Sequence, residues 1–87
     1  MYFILGGVNI GGNITTDWGI NQLKPNRPTV FTVVNVNAMP GTNYGVLIVL
    51  PTGGNYPYIQ IYFPAGGGSP VYQRRYLSST EEWSAWI

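Results

Sequence analysis

Short apolar runs alternate along the chain with breaks marked by glycine and proline. Nowhere does an apolar stripe recur at helical spacing over the ~11 residues that a helix needs. Residues 30–36 (VFTVVNV) are rich in β-branched side chains and predict a strand. Residues 44–50 (YGVLIVL) are almost wholly apolar, which predicts a central strand covered on both faces. In residues 58–63 (YIQIYF) the period of two places Tyr58, Gln60 and Tyr62 on one face and Ile59, Ile61 and Phe63 on the other. Residues 71–77 (VYQRRYL) place Tyr72, Arg74 and Tyr76 opposite Val71, Gln73, Arg75 and Leu77. Residues 2–5 form a further strand candidate, and GGVNIGGN reads as a hairpin or loop. Residues 14–28 read mostly as connection, with Asp17 and Trp18 in a turn. NAMPGTN, PTGGNYP, PAGGGSP and SSTEE are turn formers, and WSAWI returns as a short last strand. The expected fold is all-β: a small antiparallel meander or sandwich of about five to six short strands. Residues 1–13 read as a connecting strand or loop from a preceding body, and residues 14–87 as the β domain.

Composition narrows how such a domain is held together. With 87 residues one domain is expected, and a core of that size is marginal without a staple. There is no Cys and no His, so disulfides and thiolate or imidazole metal sites are excluded. The acids are Asp17, Glu81 and Glu82, too few for an expected metal cage, and no cofactor is implied. Self-association is the staple that remains. Only 8% of residues are charged, against about 25% in a typical domain, so little repels one copy from another. The four cations (Lys24, Arg27, Arg74 and Arg75) are too few for a nucleic-acid footprint. No run approaches the ~18 apolar residues of a membrane span. MYFILGG lacks a basic region ahead of its apolar run, so export by a signal peptide is not expected.

Candidate chemistry is sparse. A nucleophilic triad lacks its usual histidine base. Glu81 and Glu82 are neighbours, which suits a solvated turn better than two carboxylates facing across a cleft. The glycine pairs have no following Lys-Ser/Thr and no helix, so they form turns and not phosphate loops. An enzyme is therefore not expected. The aromatics carry more. If the two Tyr-bearing strands pair, Tyr58, Tyr62, Tyr72, Arg74 and Tyr76 become one tyrosine platform containing an arginine. Such a face suits sugar rings, whose C–H patches stack while hydroxyls find fixed partners. It equally suits cross-strand packing or a subunit interface. Trp83 and Trp86 are three apart, which in a regular strand puts them on opposite sides, one toward the core and one toward an interface. Trp18 reads as a lid, a recognition residue or a plug.

The order of these pieces resembles a known family. A Thr-Thr turn precedes VFTVVNV. MPGTNYGVLIVL, YIQIYF, a strand ending Arg-Arg-Tyr and a closing WSAW follow in order. The arrangement is similar to the knob module of bacteriophage tail fibres and tailspikes and of R-type pyocin fibres, over residues 14–87. Gln60, Arg74, Arg75, Trp83, Ser84 and Trp86 carry the most specific part. The chain departs from that pattern at WGINQLKPNRPTVFTVV, which is longer and broken by proline. The resemblance implies a homotrimer in a virion tail, with Ile87 at a fibre tip. It also implies host adsorption outside the cell through receptor binding, a carbohydrate contact with bacterial surface polysaccharide or lipopolysaccharide. The alternative it leaves is a purely structural trimerisation or folding cap.

Overall fold

The computed structural model describes residues 8–87; the strand candidate at residues 2–5 lies outside them. The strands are β1 (Asn9–Ile14), β2 (Thr29–Val33), β3 (Gly45–Pro51), β4 (Tyr58–Pro64), β5 (Tyr72–Leu77) and β6 (Glu82–Trp83). One four-residue helix, α1 (Asp17–Ile20), lies between β1 and β2. The strands form a single sheet in sequence order. From β2 onward every pairing is antiparallel, as a meander requires. The β1–β2 pairing is parallel, so the sheet is mixed, and among the described residues there is no second sheet to make a sandwich. Within GGVNIGGN, expected to be a hairpin or loop, the residues from Asn9 onward supply an edge strand. The reason is the length of the connection over residues 15–28. A parallel return needs roughly a dozen residues or more, and this segment has room for one with α1 inside it.

Local chemistry explains α1. Thr16 is the N-cap, with extended backbone, and its Oγ1 accepts from the Gly19 N–H at 3.0 Å. Asp17 sits in the first turn, and its Oδ1 accepts from the Ala38 N–H at 3.0 Å, tying α1 to the β2–β3 connection. The turn expected at Asp17 and Trp18 is thus one capped helical turn. Its purpose in the packing is to bury Ile20.

Register fixes which side chains share a face. On the inner face one row runs Phe31, Leu47, Tyr62, Tyr72 across β2 to β5; a second runs Thr29, Val49, Gln60, Arg74. Over these lie Ile20 from α1, Leu23, Val36 and Met39 from the connections, and Trp86 from the tail. This layer is the core. Leu47, Val49, Tyr62 and Val36 are wholly buried. Gly45 is needed where the Tyr62 ring crosses β3, because a Cβ there would meet that ring and the Phe63 carbonyl. The Tyr62 hydroxyl then donates to the Thr42 carbonyl at 2.7 Å.

Among the described residues nothing covers the outer face in this way. Its central row is Ile10, Val30, Ile48 and Ile61, running from β1 to β4. Flanking it are the pairs Val46 with Phe63 and Leu50 with Ile59. Val46 and Phe63 are each 41% exposed, and Ile48, Leu50, Ile59 and Ile61 only half-buried. The expectation that residues 44–50 are covered on both faces is corrected here. Among the described residues β3 is central in the sheet and covered on one face.

Candidate functional site

The site is built around Arg74. Strands β4 and β5 pair Tyr58 with Tyr76, Gln60 with Arg74 and Tyr62 with Tyr72, so all five platform residues do share the inner face. The platform is not open, however. Tyr62 is fully buried and Tyr76 nearly so, while Tyr58 and Tyr72 are partly buried against the core. Trp83 and Trp86 fold over this face. The Arg74 guanidinium lies 4.6 Å from the Trp83 ring centroid and 4.5 Å from that of Trp86, held between two indoles. Stacking of this kind suits a planar, weakly hydrated cation and not an ammonium.

Hydrogen bonds complete the hold. Arg74 Nε donates to Gln60 Oε1 at 2.7 Å, and its Nη2 donates to Asn21 Oδ1 at 2.9 Å. Gln60 is wholly buried, and its Nε2 donates to the Ile20 carbonyl at 2.9 Å. Trp83 Nε1 donates to the Asn21 carbonyl at 3.2 Å. One network therefore pins the end of α1 to β4, β5 and the C-terminal tail. Burial lowers the Arg74 pKa to about 10, which still leaves it a cation at neutral pH. Its hydrogen-bond partners are neutral, so the charge is stabilised by rings and amide oxygens.

Both tryptophans reach the same side, contrary to the opposite-side expectation. The cause is an irregularity after β6. The Ser84 N–H donates to the Arg75 carbonyl and the Arg75 N–H to Ser84 Oγ, at 2.8 and 3.0 Å. The ladder then resumes one residue late, with Ile87 and Gln73 exchanging both backbone bonds. The extra residue shifts the alternation, as a bulge does, and brings Trp86 back to the inner face. There it meets Tyr62, with ring centroids 6.2 Å apart. Trp83 packs edge-on to Tyr76 at 5.2 Å. Trp18 is placed differently: it is 73% exposed on α1 and joins neither the core nor this cluster.

Beside the cluster is a cleft of about 610 Å³. It is lined by Arg74, Tyr76 and Trp83 from the inner face, by Asn21, Gln22 and Lys24 from the connection after α1, and by Glu81 and Glu82 where β5 turns into β6. Lys24 Nζ sits 4.6 Å from the Tyr76 ring centroid and donates to its hydroxyl at 3.4 Å. Glu81 holds a left-handed backbone, φ 57, and its N–H closes the turn onto the Leu77 carbonyl at 2.8 Å. Arg74 has five N–H donors, of which two go to Gln60 and Asn21. The arrangement offers donors, acceptors and an aromatic surface to a polyhydroxylated ligand. A smaller groove of about 470 Å³ lies along the tail, between Ile59 and Gln73 on one side and Ala85 and Ile87 on the other. Among the described residues no three acids gather as a metal site would require.

Sequence reasoning placed Arg74 and the tyrosines together but missed Asn21, Gln22 and Lys24. They come from the α1–β2 connection, and Asn21, which accepts from Arg74, is 53 residues from it along the chain. No local pattern signals that approach. No family model, curated protein or solved structure matches the chain.

Proposed function

We propose that this chain is a non-catalytic module of a phage tail fibre or tailspike, acting as a homotrimer that contacts bacterial surface polysaccharide or lipopolysaccharide. The observation that carries the reading is the cleft beside Arg74, where an indole-stacked cation adjoins Lys24, Gln22, Glu81 and Glu82. Carboxylates and amides bind vicinal hydroxyls, and the aromatic floor accepts C–H surface. A single shallow site of this kind is weak, and three on one particle reach useful avidity. The non-catalytic assignment rests on the acids. Asp17 is engaged by the Ala38 N–H, and Glu81, closing the β5–β6 turn, is the immediate neighbour of Glu82 at the start of β6. Titration of the chain against purified surface polysaccharide tests the reading. Lys24→Ala combined with Glu82→Ala, both exposed positions, should weaken binding about tenfold or more, some 1.4 kcal/mol, without changing the fold. Unchanged affinity in the double variant, or no binding by the parent, removes the glycan role.

A second reading is favoured by the uncovered outer face: a trimerisation or folding cap with no ligand. Deleting the module from its parent fibre then gives monomeric or insoluble protein. If the truncated fibre still assembles and loses only adsorption, the binding reading stands.

A further inference from the structure

We infer that the outer face of the sheet is where copies of this chain meet, and that its occupant is a neighbouring copy of this chain. The inference rests on the self-association proposed above and names the surface responsible. Four strands contribute to a continuous apolar patch. Its core is Val30, Ile48 and Ile61 in one row, with Val46 and Phe63 beside it. Around it the face turns polar, at Thr32 on β2 and at Gln73 and Arg75 on β5. An apolar centre with a polar rim is the anatomy of a protein interface.

Charge and area decide the occupant. No acid or base stands among the five central positions, so two copies meet without burying an ion. Arg75, at the rim, is already turned onto the Tyr56 ring at 3.9 Å. A lipid surface would be met by cations, and this face presents none at its centre. The protomer measures 33 × 31 × 21 Å, and its short dimension fits one sheet with one covering layer at about 10 Å spacing. The broad face therefore projects on the order of 800 Å², about one partner's share of a standard stable interface. Sheets packed face to face bury alternating side chains of this type.

Val46 and Phe63 suit the test, because each is already exposed in the protomer and a lysine there leaves the inner core untouched. The double variant Val46→Lys, Phe63→Lys is compared with the parent by analytical ultracentrifugation, with near-ultraviolet circular dichroism of Trp83 and Trp86 reporting the fold. The expected result is an associated parent and a variant of protomer mass with an unchanged tryptophan signal. If Val46→Lys, Phe63→Lys fails to fold, Val46→Thr with Phe63→Thr is expected to weaken association at least tenfold. A folded variant that associates as the parent does overturns this assignment while leaving the oligomeric reading intact. A parent of protomer mass overturns both. In that case, increased dye binding after removal of residues 1–7 would identify the chain's own apolar start as the cover.

Discussion

Gln60 is the residue on which the inner face turns. Its amide gives one hydrogen bond to the Ile20 carbonyl and takes one from Arg74, both away from bulk water. Removing it strands two polar groups at once, and an unpaired buried group costs about 1–3 kcal/mol. Gln60→Ala should therefore lose about 2–3 kcal/mol in urea unfolding, more than a surface truncation of the same size. Tyr62 offers a second probe. Burial raises its pKa above the ordinary 10.0. Its hydroxyl therefore contributes stability that is fully present below about pH 10 and is lost as pH rises through the folded value. Arg74, lowered to about 10, acts with the opposite sign in the same alkaline range, and it is common to parent and variant. Tyr62→Phe should cost about 1 kcal/mol at neutral pH, for the lost bond to Thr42. The two stability curves should converge above pH 10; a gap that stays constant there contradicts the assignment. Much of this neighbourhood was legible in the sequence, because strand parity alone puts Gln60, Tyr62 and Arg74 on matching faces. Which face is covered was not, since the cover comes from Ile20 in α1, Met39 in the β2–β3 connection and Trp86 in the tail.

At the scale of elements, the β5–β6 turn and the tail determine how the tryptophans are used. SSTEE was readable as a turn. The bulge after it was not, because nothing in WSAW marks Ser84 as the residue whose Oγ replaces a backbone acceptor. That one irregularity converts two tryptophans on opposite faces into a clamp on Arg74. Glu81 closes the same turn in the left-handed region, where a residue with a Cβ is strained and glycine is not. Glu81→Gly should raise stability by about 0.5–1 kcal/mol. On the binding reading, the same substitution weakens polysaccharide contact. Stability gained with binding lost is the expected pair; a loss of stability would mean that the Glu81 side chain supports the fold. The parallel edge strand was missed for a related reason. Gly11 has no side chain because the Phe31 ring lies against it, and glycine there reads locally as a break.

The whole molecule is a half-covered sheet. Its Cα radius of gyration of 12.6 Å is near the ~12 Å expected for a compact chain of this length, so the open face does not reflect loose folding. With no cysteine and few charges, the chain has no disulfide and little ion pairing to stand in for a partner. The apolar content of residues 44–50 was plain in the sequence. It implied cover on both faces, and the described residues supply one. Association in solution is thus the claim on which the functional reading depends. Sedimentation equilibrium of the full chain at micromolar concentration and neutral pH tests it most directly. The account predicts three times the protomer mass of 9.6 kDa, and a stably folded species of 9.6 kDa would contradict it.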